Sequence, residues 1–532
     1  LVVAALALVV TPPGPPAVAE FAPRAEDRID EALKAQSSSF GTGEGGACGA
    51  GQQCEDGGSG GSTGTTTTTR PPGSGGHVDE TRVRRCVGDP PRQTEDPQSP
   101  PCLNYFEGDN GGSTYKGVTQ HEIRVAVPQI GPWESEFAPF VEHFNRRYEL
   151  YGRKIRLVTV PYDYQHPSAA VTAADEEAKA FAYLFPYRNS PDVGVMQREA
   201  ARRKILSVVG FFTHSPSTLY RDKAPYLWSY APAADEAETE VGDFACTSLA
   251  GKTAAFAGPG LQQRQRRFAV LRQRSEGDPL DLSALNASLA RCQVPAPLVI
   301  DVKFNDSREE VARAELTLRD AGITSLFVFS STNDTSQWAR YLSGQYEPEW
   351  IVSGLGWPEQ EPQWGTVMPA QYRRSMFGAF GVSKLLPGAD TPSWWAFKEG
   401  NPDGGGTEVG NGESTYFHMA YRTLLLLASG IQMAGPRLTP ETFSTGLHKA
   451  QFPNPGAGAR PFYQSHVGFG PGDYAMTHGS AVVWWSDSAP TYSGNGVHRS
   501  GGWCYVERGR RFSGNWVDVS GRLFDPDPRN CR

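Results

Sequence analysis

From Gln120 to Gly354 the apolar and polar positions repeat one arrangement about six times: a short apolar run, a turn, a stretch with apolar residues at helical spacing, then another apolar run. Ile123–Val127 reads as a buried strand, and Phe137, Phe140, Val141, Phe144 and Tyr148 recur at helical spacing before a second strand, Ile155–Val160. Further strands are expected at Asp192–Met196, Ile205–Val209, Lys252–Ala257, Leu298–Phe304, Ser325–Ser330 and Trp350–Ser353. Helices are expected at Ala169–Leu184, Asp235–Leu249, Leu261–Glu276, Arg308–Ala321 and Asp334–Leu342. Runs of Val, Ile and Phe with little alternation suit strands covered on both faces, as crossover helices cover a parallel sheet. The pattern therefore predicts an α/β fold, in which ligands sit beyond the carboxyl ends of the strands.

After Gly354 the alternation weakens. A strand is expected at Met376–Gly381, a long helix at Thr415–Met433, and another beginning at Thr439 with Pro440 and Glu441 in its first turn. Beyond Phe452 the chain is rich in Gly, Trp and Tyr, with strand-like pieces at Gly479–Ser486 and Trp503–Glu507.

The N-terminal part has a different character. The first ten residues, LVVAALALVV, are wholly apolar and precede a Pro-rich stretch ending in Ala17-Val18-Ala19. Residues 1–19 read as the end of a secretory signal or of an anchoring helix, and either reading places the protein outside the cytoplasm. Residues 20–76 hold one short helical stretch, Arg24–Lys34, and then collapse to Gly, Ser and Thr. Such a segment buries too little surface to offset its chain entropy and serves as a spacer or as tolerated disorder. Residues 77–117 form a Pro-rich strap, in which Phe106-Glu-Gly-Asp-Asn-Gly-Gly reads as a turn, since it lacks the alternating acidic ligands of a calcium loop.

The chain has 532 residues, and roughly 400 remain once the irregular N-terminal part is set aside, enough for about two domains. A formal net charge of −8 argues against a nucleic-acid surface or a polybasic membrane patch. The even number of cysteines, 8, suits an oxidising compartment. Their positions suggest sequential pairing: Cys48 with Cys54, Cys86 with Cys102, Cys246 with Cys292, and Cys504 with Cys531.

Nothing in the chain marks a catalytic centre. There is no H-E-x-x-H or EF-hand loop, and no G-x-S-x-G elbow joins a predicted strand to a helix. The run Cys246–Thr253 resembles a phosphate loop but has Cys246 for its first Gly, and Lys252 precedes an expected strand where that motif needs a helix. The histidines form no i, i+3 or i, i+4 pair, so no metal site is expected.

Several segments in order resemble the type 1 periplasmic binding proteins, in particular the branched-chain amino-acid (Leu/Ile/Val) receptor-like branch of secreted actinobacterial type. They are GVTQHEIRVAV, FVEHFNRRYELYGRKIRLVTVPYD, PYLWSYAPAADEAE, AGKTAAFAG, AGITSLFVFSS, PEWIVSG and AGPRLTPETF, spread over residues 118 to about 485. The resemblance implies two Rossmann-like lobes with parallel sheets joined by a three-segment hinge. The lobes would comprise residues 118–232 plus 373–450, and residues 233–372 plus 451–532. It also implies an extracellular, non-enzymatic solute-binding role without a cofactor, in which an amino acid or a related amide or apolar compound is held in the cleft for an ABC transporter permease. The competing readings are a secreted α/β hydrolase and a surface sensor or adhesion module that lost its pocket.

Ligand contacts follow from the same resemblance and from the strand ends. After Ile205–Val209, Ser215 and Ser217 either receive a carboxylate or serve turn and cap chemistry. Gln129, Trp133 and Tyr230 match family contact positions or pack internally. In the second lobe the candidates are Leu261, Gln262, Thr332, Asn333 and Asp334; Asp334 either holds an ammonium or caps its helix. The loop after Trp350–Ser353 carries Gly354, Leu355, Gly356 and Trp357 where amino-acid binders present an acid, which points to an apolar or aromatic ligand unless Glu359 substitutes.

Overall fold

The computed structural model describes residues 86–129, 133–163, 166–185, 193–274, 280–303, 305–356, 361–381, 384, 391–401, 415–454, 466–491 and 500–531. All of them lie in the unit Val78–Arg532. The signal, the spacer and the Cys48/Cys54 pair lie outside the described residues.

The first sheet is built from β1 (Glu122–Pro128), β2 (Lys154–Val160), β3 (Ala182–Phe185), β4 (Leu206–Val209) and β5 (Leu227–Ser229), in the spatial order β2-β1-β3-β4-β5. All its pairings are parallel. Helices α1 (Trp133–Arg147), α2 (Ser168–Glu176), α3 (Val193–Arg202) and the short α4 (Ser217–Asp222) connect the strands. Every residue of β3, β4 and β5 is buried, as expected for strands covered on both faces.

The second sheet follows α5 (Ala234–Phe244), which runs on into a π-helical turn, Ala245–Leu249. Its elements are β6 (Phe268–Gln273), α6 (Ser283–Arg291), β7 (Leu298–Val302), α7 (Arg308–Asp320), β8 (Ser325–Phe329), α8 (Thr332–Tyr341), β9 (Glu349–Ser353), α9 (Glu361–Val367), α10 (Ala370–Arg373) and β10 (Met376–Phe380). Helices α11 (Pro392–Gly400), α12 (Thr415–Ala434) and α13 (Pro440–Lys449) then return to the first sheet, where they share its core with α1. The hairpin of β11 (His466–Val467) and β12 (Thr477–His478) packs there too. Finally β13 (Ser480–Pro490), β14 (Ser500–Tyr505) and β15 (Arg511–Phe512) extend the second sheet antiparallel, giving the order β7-β6-β8-β9-β10-β13-β14 with β15 beside β13.

Local signals account for the well-placed boundaries. Ser307 and Glu310 form a capping box on α7, and Thr439 caps α13 with Pro440 in its first turn. Disulfides Cys86–Cys102, Cys246–Cys292 and Cys504–Cys531 are formed as the sequence positions suggest.

Six expectations are corrected. Ala182–Phe185 is a strand and not the end of a helix, and Val193–Arg202 is a helix where a strand was expected at Asp192–Met196, because a continuous apolar run carries no period of its own. Lys252–Ala257 forms turns with only a bridge from Thr253 to Gln265, while Phe268–Gln273, expected within a helix, is the central strand β6. Strand β10, placed by sequence in the first lobe, pairs with β9 and β13 in the second sheet. Residues 466–478, placed by sequence in the second lobe, pack on the first sheet.

Candidate functional site: the gap between the two sheets

Three chain segments pass side by side between the sheets. They are Tyr230–Ala233 after β5, the segment that begins at Gly381 after β10, and His478–Gly479 from the last residue of β12 to the start of β13. A Cβ placed on Gly381 would lie 3.0 Å from Cγ of Pro232 and 3.5 Å from the carbonyl oxygen of Gly479, so the three crossings touch. The β11–β12 hairpin is laced to the first crossing: Met476 N donates to Ser229 O at 2.8 Å, and the Thr477 hydroxyl donates to Tyr230 O at 2.7 Å.

His478 adds a charge to this hinge. Its Nδ1 lies 2.9 Å from Glu236 on α5, and its Nε2 lies 3.1 Å from Asp473 in the hairpin. Burial opposes the imidazolium, but hydrogen bonds to Asp473 and Glu236 outweigh it and raise the ring to about 11. A fixed cation thus joins carboxylates from both sides of the crossings.

At the carboxyl edges the lobes meet. Phe212, three residues past β4, belongs to the same buried cluster as the second sheet and is 2% exposed. It sits against Gly354, the first residue after β9, where a Cβ would stand 2.7 Å from the Phe212 ring. Gly354 is therefore required by close approach of a ring from the opposite lobe. Beside it, Leu355 is 1% exposed and packed in the second core.

No family model and no curated protein sequence matches the chain. In structure it is similar to a fatty acid ABC transporter substrate-binding protein from Thermomonospora curvata, at 13% identity and a TM-score of 0.51, over 78% of this chain and 100% of that one. It is also similar to an ABC transporter substrate-binding protein from Aeropyrum pernix, at 12% identity and a TM-score of 0.50, over 76% of this chain and 98% of that one. The fold is that of the type 1 periplasmic binding proteins.

Within this type 1 binding-protein fold, the candidates drawn from the sequence separate by position. Ser215 and Ser217 lie beyond the carboxyl end of β4, but each is engaged internally: the Ser215 hydroxyl donates to Oε1 of Gln197 at 2.6 Å, and Ser217 donates through both its amide and its hydroxyl to Asp235. These bonds fasten the loop to α3 and to the start of α5. Asp334 stands in the first turn of α8, where Ser331 accepts from its amide and donates to its carboxylate at 2.8 Å. Burial, with nearby Asp306 acting in the same direction, pushes Asp334 up to about 6. Asp334 thus takes part in capping its helix. Asn333 is half-buried beside it and accepts from the Ser336 hydroxyl through its carbonyl.

Gln129 is exposed at the carboxyl end of β1, its amide bonded to Val160 O at 2.8 Å. Trp133 begins α1, with its side chain outside the description, and Glu359 lies outside the described residues. Tyr230 is 2% exposed and turned to the strap, its hydroxyl donating to Oε1 of Gln98 at 2.6 Å. Leu261 and Gln262 are corrected outright. They belong to the loop before β6, which is held at the amino edge of the second sheet by Gly258 N to Glu347 O and Phe256 N to Glu349, so they are at the end of the strands opposite to Gly354. Sequence reasoning missed Phe212, although an aromatic pair directly after a buried strand, Phe211-Phe212, is the signal that marks it. It also missed the hinge cation His478. Among the described residues no group of three or more His, Cys, Asp or Glu could hold a metal, and no helix is long and apolar enough to cross a membrane.

Proposed function

We propose that the protein is an extracellular, non-enzymatic solute-binding protein that holds a small molecule between two hinged lobes and delivers it to an ABC importer. The observation that carries the reading is the meeting of two carboxyl strand edges at Phe212 and Gly354, beside three touching crossings on which the lobes can turn. The ligand class we favour is apolar. The side chains at this meeting are Phe212 and Leu355, while Ser215, Ser217 and Asp334 already hold partners within the protein. Burying an α-ammonium would need a carboxylate facing the gap, and Asp334 is instead buried at the start of α8.

Phe212 also favours a second reading, a surface module that keeps the fold with its gap filled. Thermal unfolding against a panel of fatty acids, aromatic acids and leucine separates the two. A ligand present at a hundredfold above its Kd adds about 2.7 kcal/mol. Stabilisation by an apolar member, weakened in Phe212→Ala, supports binding in the gap; no shift with any member supports the filled module.

A further inference from the structure

A hollow of about 270 Å³ lies at the carboxyl ends of β6 and β7, walled by the first two turns of α7 and by Trp338 of α8. It is below the usual range for a drug-sized ligand, so its occupant is small. All of its lining belongs to the second lobe. In the order β7-β6-β8-β9, β7 is the outermost strand, and Gly354 meets the first lobe at the end of β9. The hollow is therefore built apart from the gap between the two sheets.

The lining carries cations and acids that do not pair with one another. Arg274 and Arg313 are exposed, and among the described residues neither side chain forms an ion pair or a hydrogen bond. Glu310 and Arg313 stand on α7 at i, i+3, a spacing that ordinarily joins opposite charges. Glu310 is turned back instead, its carboxylate accepting from Ser307 N at 2.7 Å in the capping box. Asp301 is taken by Arg272, whose Nε and Nη2 lie at 2.6 and 3.2 Å from its oxygens. Asp306 is 6% exposed and accepts from Lys303 N at 3.0 Å through Oδ2, while its Oδ1 has no hydrogen-bond partner among the described residues. On α8 the charged group near it is another acid, Asp334. Each acid is pinned locally, so two guanidiniums and a buried carboxylate surround one space without meeting. An anion alone would face the acids and a cation alone the guanidiniums; a molecule with both charges suits both. Guanidiniums are matched in shape to a carboxylate. The rest of the lining, Ile300, Ala314 and Trp338, is apolar.

We propose that this hollow is a second binding site, which takes a small zwitterion. Its carboxylate is held by Arg274 and Arg313, its ammonium donates to Asp306, and a short apolar chain rests on Ile300, Ala314 and Trp338.

Titration calorimetry of the whole protein with the straight-chain ω-amino acids from 3-aminopropanoate to 6-aminohexanoate tests this, with hexanoate and hexylamine as counterparts carrying one charge each. The expected result is binding of at least one ω-amino acid, weakened at least fivefold by Arg274→Gln and by Arg313→Gln. Both arginines are exposed, and melting curves verify that the variants are folded. Hexanoate taken up in the gap between the lobes is told apart because neither arginine variant weakens it. Arginine-dependent binding of either counterpart should be at least tenfold weaker than that of the ω-amino acid, and Asp306→Asn should remove the advantage over hexanoate. Absence of ω-amino acid binding, a loss under fivefold in either arginine variant, or arginine-dependent affinity for a counterpart within tenfold of the zwitterion's overturns the proposal.

Discussion

The ring of Phe212 from one lobe occupies the space that a side chain at Gly354 of the other lobe would need, with 2.7 Å left for a Cβ. A contact this close across a hinge fixes how nearly the lobes approach. Gly354→Ala should therefore prop the carboxyl edges apart, costing about 1–3 kcal/mol for the overpacked contact. Denaturant unfolding measures the loss, and small-angle scattering should show a longer maximum dimension than in the parent protein.

Phe212→Ala should act in the opposite sense on the gap. The ring is buried in the second core, so its removal should cost about 3–5 kcal/mol in unfolding experiments. If the gap is a ligand site, the vacated volume should let bulkier apolar ligands bind than the parent accepts, as read by melting shifts.

At the other end of the second sheet, Glu349 is fully buried and accepts from Nε and Nη2 of Arg266, both at 2.8 Å, and from the Ser325 hydroxyl at 2.6 Å. Removing one partner leaves an uncompensated buried charge. Glu349→Ala should destabilise by about 3–5 kcal/mol in equilibrium unfolding, whereas a double replacement of Arg266 and Glu349 by apolar residues should cost much less.

Glu240 on α5 is 8% exposed, and its Oε2 has no hydrogen-bond partner among the described residues. Burial above all, with help from Glu236 and Asp243, pushes it up to about 8. A folded-state value above the unfolded one means that the folded state holds the proton more tightly. The contribution is intact below the unfolded value near 4.5 and is lost as pH rises toward 8. Stability should accordingly fall between about pH 5 and pH 8, and Glu240→Gln should flatten that slope and add on the order of 2 kcal/mol at pH 8. Unfolding curves of both proteins across this range check the sign.

The strap offers a fourth test of packing. Tyr230 donates to Gln98, and Gln432 donates to Pro101 O at 2.9 Å, so the loop closed by Cys86–Cys102 is fastened to the first crossing and to α12. Tyr230→Phe leaves Gln98 without that donor and should cost about 1–2 kcal/mol. Hydrogen exchange should show the loss first in the strap and the adjoining crossing.

Much of the architecture was legible because strand and helix signals agreed at each step. Ile123–Val127, Ser325–Phe329 and the Thr439–Pro440 helix start each combine an apolar pattern with a cap or turn of matching chemistry. Where a run such as Ala180–Phe185 is apolar throughout, its period is uninformative, and length and partners decide the outcome only in the folded chain. The site was less legible for a related reason. Ser215, Ser217 and Asp334 have residue types that suit ligands and caps alike, and their choice depends on Gln197, Asp235 and Ser331 arriving in space. Gln262 was misplaced because a strand assigned to Lys252–Ala257 turned an amino-edge loop into a carboxyl-edge one. His478, far along the chain from Glu236, carries no local pattern at all.

Native mass spectrometry of the purified chain tests the central claim most directly. The account predicts one small apolar molecule bound per chain, released on unfolding and bound more weakly in Phe212→Ala. A bare chain that takes up no member of an apolar ligand panel would contradict it.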